Sequence, residues 1–461
     1  DDRRHAHAKA ADRLAARPDS PDLLAFHCEA AGRLGEAARA LVAAARRALE
    51  RGAPAAALAL AERAAPLADD EAVRARSWAY ASGAASMVGD YSRASALGAD
   101  AMKILSPSSE EWFLAAYGPF LASYQLDTSQ VPRVTEALLA TPPAAVPPTI
   151  LSAYAFSACI LVLYGVAGMR PAAQSIAKLG LEVAELHGFE AEPFIRPFGT
   201  VLAVVGLRED DVAEGRRRAE GAMRWCEAVG AEGLSEMAQV FASLAAIEVG
   251  RGRETLEALQ RARAGLLRKR NFQQSNWALA VELRVLATEP EDDEATAQAL
   301  AFREEAPTPY HAGWWLTQHA LLLSALGRLE EAAAETERFL AGPFALFDAW
   351  ARTLAARAAL AKGYHDDALM HVRAFDELAR AGQGYPVERS WIDVVRIEAL
   401  RAAGRPDEAD AALGAAAARV ESRASRLTIE DRDSYLARIE PNARLLAMRW
   451  PTMPPPPDSP R

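Results

Sequence analysis

Only three cysteines, Cys28, Cys159 and Cys226, occur in 461 residues, far apart and with no CxxC pair. That excludes a disulfide framework and fits a reducing compartment, the cytoplasm. Each lies within an apolar helical stretch, as in Ala158-Cys159-Ile160, which marks it as a buried structural thiol. Lysine is scarce too: Lys9, Lys103, Lys178, Lys269 and Lys362 are the whole set, and none follows a glycine. With no GxxxxGK[ST] run, the phosphate-cradling loop of an NTPase is absent, and HRD and DFG kinase signatures are missing as well. Positive charge is almost all arginine, scattered among 62 acids for a formal charge of −10, so no basic face gathers the phosphates of a nucleic acid. Histidine spacings at His5/His7, His311/His319 and His365/His371 miss the HExxH pattern that sets two metal ligands on one helical face. No cofactor or metal is implied.

Aromatics make up 7 % of the residues although hydrophobic residues make up 51 %, because alanine dominates the apolar share. Alanine has the highest helix propensity and permits the closest helix contact, so the chain reads as all-α. Its length exceeds what one core fills, which leaves several domains or a stack of repeats. From Thr149 to Met169 no residue is charged, but Ser152, Ser157, Gly165 and Gly168 dilute the stretch. It reads as a buried central helix and not as a membrane span.

Short turns between apolar helices fall at Gly52, Gly89, near Asp127, at Gly168, Gly206, Gly250, near Thr288, and at Gly327, Gly363 and Gly404. Their mean spacing, about 39 residues, is that of a helical hairpin repeat. Small residues recur in phase: Ala57, Ala94, Ala173, Ala332, Ala368 and Ala409 stand five after a turn, and Ala64, Ala101, Gly180 and Ala416 twelve after. Phe339 and Phe375 break the second series. Gly32 fits a turn between hairpins. The predicted fold is a right-handed α-solenoid of about ten hairpins, divided as a lead-in at 1–35, a lobe at 36–141, a second lobe at 149–421, a capping helix at 428–450 and a disordered Pro-rich tail at 451–461. Pro142, Pro143, Pro147 and Pro148 mark a hinge between the lobes.

Gly89-Asp90-Tyr91-Ser92-Arg93-Ala94, preceded by Trp78, and Leu326-Gly327-Arg328-Leu329-Glu330-Glu331-Ala332 resemble tetratricopeptide repeats. Arg3-Arg4-His5-Ala6 and the stretch Leu24-Ala25-Phe26-His27-Cys28-Glu29-Ala30-Ala31-Gly32 resemble the segment that follows the nucleotide-binding and winged-helix modules of bacterial signal-transducing NTPases with many domains. Tyr435-Leu436 and Glu440-Pro441-Asn442-Ala443-Arg444-Leu445 resemble the closing helix in bacterial proteins that join a serine/threonine kinase, an ATPase and such repeats. The resemblance implies a non-catalytic interaction and sensor module, with catalysis in upstream domains of the same polypeptide. An opening on Asp1, with no methionine, fits that expectation. Two alternatives stand beside it: the sensor region of a maltose-regulator-type transcription activator, against which the proline ending counts, and an enzyme within a helical toroid.

Charged runs have ordinary readings. Glu330-Glu331 and Asp366-Asp367 suit the first turn of a helix, and Arg216-Arg217-Arg218 and Arg268-Lys269-Arg270 suit solvated faces. One aromatic set stands out. Trp314, Trp350 and Trp391 each precede their hairpin's turn glycine by thirteen residues, whereas Trp78 precedes Gly89 by eleven. Two residues rotate a side chain by about 200° around the helix, and in the resembled family that position faces the concave groove. The competing reading packs the three between hairpins. On the groove reading Thr317, Thr353, Arg357 and Glu398, three or seven residues further on, share their face and a protein, a peptide or a small ligand docks there.

Overall fold

A computed structural model describes residues 2–16, 20–125, 131–165, 169–208, 211–229, 232–289, 294–301, 309–342, 348–380 and 386–450. Every regular element among them is helical. Among the described residues a first pair, α1 (Asp2–Ala15) and α2 (Pro21–Ala31), precedes ten further helix pairs. These are α3 (Leu34–Glu50) with α4 (Pro54–Ala64), α5 (Glu71–Val88) with α6 (Tyr91–Met102), α7 (Glu110–Gln125) with α8 (Val131–Leu139), and α9 (Ile150–Gly165) with α10 (Arg170–His187). Then follow α11 (Glu192–Arg208) with α12 (Val212–Val229), α13 (Glu232–Ile247) with α14 (Leu256–Arg268), and α15 (Phe272–Thr288) with α16 (Glu294–Ala301). The last three are α17 (Pro309–Ala325) with α18 (Leu329–Leu340), α19 (Asp348–Ala361) with α20 (His365–Arg380), and α21 (Pro386–Ala402) with α22 (Pro406–Ala424). Where one closing helix was expected at 428–450 there are two, α23 (Ile429–Ala437) and α24 (Glu440–Arg449), because Pro441 restarts a helix at its first turn. The tail at 451–461 lies outside the described residues.

Local chemistry explains the repeat. At Gly363 the backbone leaves α19 with φ 77°. The Gly363 N–H donates to Leu360 O and the Tyr364 N–H to Ala359 O, closing the helix end. Gly52, Gly89, Gly250, Gly327 and Gly404 repeat the positive φ at their turns, and Gly32 does so between α2 and α3. Gly206 departs from expectation: it lies inside α11, and the turns expected near Asp127 and at Gly168 lie outside the described residues. Asp70, Asp90, Asn271 and Thr428 accept a backbone N–H at the starts of their helices.

Ala57, Ala64, Ala94, Ala101, Ala173, Ala368, Ala409 and Ala416 are fully buried, so small side chains sit where helices meet. At the closest approach, a Cβ on Gly118 of α7 would stand 2.0 Å from Ser82 Oγ of α5. Even-numbered helices bury one stripe, as α20 does with Ala368, Leu369, Val372 and Phe375. Some odd-numbered helices are buried nearly all round along part of their length: α15 buries every residue from Ala278 to Ala287. From α3 to α13 and from α17 to α21 each odd helix packs on its hairpin partner, and from α3 through α21 each packs on the next odd helix along the stack. Close spacing on that side curves the stack, and odd helices remote in sequence then meet: α5 touches α15 and α7 touches α17. This is an α-solenoid whose odd helices line its inner face. One apolar core runs from Ala25 to Ala238 without interruption across the prolines at 142–148. No described helix is long and apolar enough to cross a membrane.

A Cβ at Gly363 would meet no atom within 4 Å, so Gly363→Ala tests the backbone conformation alone. Stability in denaturant titration should fall by about 1 to 2 kcal/mol, the cost of a left-handed non-glycine residue.

Candidate functional site

Four inner helices, α15, α17, α19 and α21, surround a cavity that the start of α24 closes with Glu440 and Pro441. It encloses about 30 Å³ open to the centre of a water molecule, room for about two waters. Thr317, Trp350, Thr353, Arg357 and Trp391 all line it. Helical phase along α17, α19 and α21 therefore brings five of the seven expected positions together. Glu398 is not among them: its carboxylate pairs with Arg444 at 2.6 Å, toward the closing helix. The side chain of Trp314 lies outside the described residues.

An open aromatic stripe is not what the inner face presents. Trp350 and Trp391 are 9 % and 8 % exposed, walls of a narrow cavity and not free anchors on a surface. Curvature accounts for this, because it packs Trp350 under Arg284 of α15, whose guanidinium carbon lies 5.0 Å from the ring centre. Trp391 is covered in turn by Arg357, 3.7 Å from its ring centre.

The two arginines differ in their partners. Arg284 is 2 % exposed, and its Nη2 lies 2.6 Å from Glu248 Oε1 and 2.7 Å from Glu388 Oε1. The second oxygen of Glu248 accepts the N–H of Val387 at 3.2 Å. Burial pushes the Glu248 carboxyl up to about 7, opposed by Arg284 and reinforced by Glu388. Arg357 by contrast has no ion pair or hydrogen bond among the described residues. Its desolvation pushes the guanidinium down to about 10, with Glu440 acting the other way through space and Arg444 adding to the fall. Thr317 and Thr353 donate their hydroxyls to the carbonyls of Gly313 and Ala349, four residues back, and Thr317 Oγ1 also accepts from Gln318 Nε2 at 3.5 Å. Gln318, 1 % exposed, has its Oε1 without a hydrogen-bond partner among the described residues.

Arg284, Gln318, Glu388 and Glu440 were not expected here. Arg284 carried a signal, the one cation in the run Leu279 to Ala287, which is apolar but for Glu282 and Arg284, and Glu248 is its acidic counterpart after Ala245-Ala246-Ile247. Other singled-out groups have structural partners. Arg216 pairs with Asp431 and Glu220, Arg217 and Arg218 with Glu214, and Lys269 with Glu236. Cys28, Cys159 and Cys226 are buried, and burial raises all three thiols. His319 stacks on Trp315 at 4.6 Å. Among the described residues no group of three His, Cys, Asp or Glu is placed to hold a metal ion.

No family model and no curated protein matches this chain. Among solved structures it is similar to a Rap protein complexed with competence and sporulation factor, at 10 % identity and a TM-score of 0.47, covering 82 % of this chain and 98 % of the other. It is also similar to the APC/C hetero-tetramer Cut9–Hcn1, at 12 % identity and a TM-score of 0.49, covering 96 % and 92 %. Similarity at this level leaves function to be read from the cavity.

Two outcomes follow from this packing. Trp350→Ala should lower stability in denaturant titration by about 3 to 5 kcal/mol, the range for an aromatic removed from a core. For Glu248, a folded-state pKa above the unfolded value means that the folded chain holds the extra proton. Its contribution to stability is complete below about pH 4.5 and falls as pH rises through about 7. Glu248→Gln should flatten the decline in melting temperature between those values.

Proposed function

We propose that this chain is a non-catalytic interaction and sensor scaffold whose inner face receives a protein or peptide. One observation carries the reading. Where four inner helices converge, the chain leaves a cavity walled by two tryptophans and holding a guanidinium, that of Arg357, with no ion-paired carboxylate among the described residues. An ordinary solenoid core closes with apolar side chains, whereas an aromatic and arginine set around a narrow opening is the composition of a recognition site. The α-solenoid serves this use because stacking hairpins generates a concave face without any fixed chemistry on it. The resemblance of Arg3 to Ala6, Leu24 to Gly32 and Tyr435 to Leu445 to bacterial multidomain signalling proteins supports the finer reading. On it, the scaffold is the C-terminal region of a cytoplasmic protein and regulates an upstream ATPase and a serine/threonine kinase.

Selection from a display library of random peptides tests the binding role. Peptides enriched on the full chain should lose at least tenfold in affinity on Thr353→Met, which places a larger side chain at the cavity wall. Enrichment of no peptide, or equal affinity for the variant, would overturn the reading.

A further inference from the structure

The cavity contains one guanidinium, that of Arg357, with no ion pair among the described residues. Among the described residues no carboxylate lies within ion-pair distance of Arg357, although Glu440 lines the same cavity and acts on it through space. Glu388 is engaged by Arg284 at 2.7 Å, Glu398 by Arg444 at 2.6 Å, and Glu440 at the start of α24 is exposed to water and outside ion-pair distance of Arg357. The Arg357 fork keeps its donors unused while its flat face is spent on Trp391. A guanidinium stacked in this way has its orientation set by the ring and presents its N–H edge without further loss of side-chain freedom.

Size narrows the class. Room for about two waters matches the two oxygens of one carboxylate and is too small for a peptide backbone. A carboxylate accepts two parallel N–H bonds from a guanidinium, the strongest hydrogen-bonded pairing that arginine forms. Around it, Leu321, Leu354 and Trp350 form apolar walls suited to the methylenes that carry an acidic group. We infer that the cavity receives one carboxylate of a bound peptide, an acidic side chain or a chain terminus, held by the Arg357 fork above the Trp391 ring. This rests on the peptide-binding reading of the inner face and adds to it the group recognised and the residue that recognises it.

Acetate serves as the bare group and acetamide as its uncharged counterpart, each titrated into the full chain at constant ionic strength. Melting temperature and tryptophan emission are the readouts. Acetate should raise the melting temperature saturably and shift the emission, acetamide should do neither, and Arg357→Met should weaken the acetate response at least tenfold. Equal responses to acetate and acetamide, or an unchanged response in Arg357→Met, would overturn the inference. A response to sulfate matching that to acetate would overturn the carboxylate assignment. Should Arg357→Met fail to fold by circular dichroism, Arg357→Lys keeps the charge but loses the fork, and an undiminished acetate response there would overturn the role of the fork. Selected peptides separate this inference from the reading beneath it. Replacing their acidic residues by amides, with the terminus amidated, should abolish binding to the wild-type chain. Peptides that depend on Thr353 but bind the amidated form equally well would leave the interaction scaffold standing and overturn the carboxylate site. Acetate binding that needs Arg357, with no peptide enriched, would do the reverse.

Discussion

The Arg284 guanidinium, 2 % exposed and set between Glu248 and Glu388, ties together parts of the chain that share no local sequence. Glu248 follows α13, Arg284 lies in α15, and Glu388 begins α21. Net stability from a buried cluster of this kind is small, since desolvation cancels most of the attraction, but leaving any member alone costs about 3 to 5 kcal/mol. A register of the solenoid that separated these helices would incur that cost. The cluster therefore selects one curvature among the many that alanine-lined helices would tolerate, and that curvature places Trp350 beneath Arg284 as one wall of the cavity.

A second set of contacts holds the closing helices. Asp431 of α23 receives Arg216 at 2.6 Å and Arg251 at 3.2 Å, and the Ser434 hydroxyl donates to the carbonyl of Gly250. With α23 fixed on the turn after α13, α24 is carried against α21 and α22, where Glu440 and Pro441 close the cavity. Within the same site the two arginines differ: the Nη2 of Arg284 meets two carboxylates, whereas Arg357 carries no ion pair among the described residues.

Much of the architecture could be read from one chain. The period of about 39 and the turn glycines at Gly52, Gly89, Gly250, Gly327, Gly363 and Gly404 are local consequences of backbone conformation, visible wherever a helix must end in a left-handed residue. Helical phase likewise brought Trp350, Thr353, Arg357 and Trp391 to a common face, since each position follows from 3.6 residues per turn. Gly206 misled because a glycine inside a helix has the same letter as one at a turn; here it lies in α11, where a Cβ would stand 3.1 Å from the Gly215 nitrogen of α12.

What the sequence alone determined is what depends on neighbours within about one hairpin: helices without strands, their pairing, their turns, and which side of each helix carries the tryptophans. Whether that side is open or closed was a tertiary decision. It depends on curvature accumulated over many hairpins, and curvature is set by pairings such as Arg284 with Glu388 and Ser434 with Gly250, separated by 104 and 184 residues. No periodicity encodes such a pair, because each member looks locally like any other charged or polar residue on a helix. Only the folded stack shows that the tryptophan face turns inward, that Glu398 is consumed by Arg444, and that Arg357 has a ring beneath it and no ion pair among the described residues.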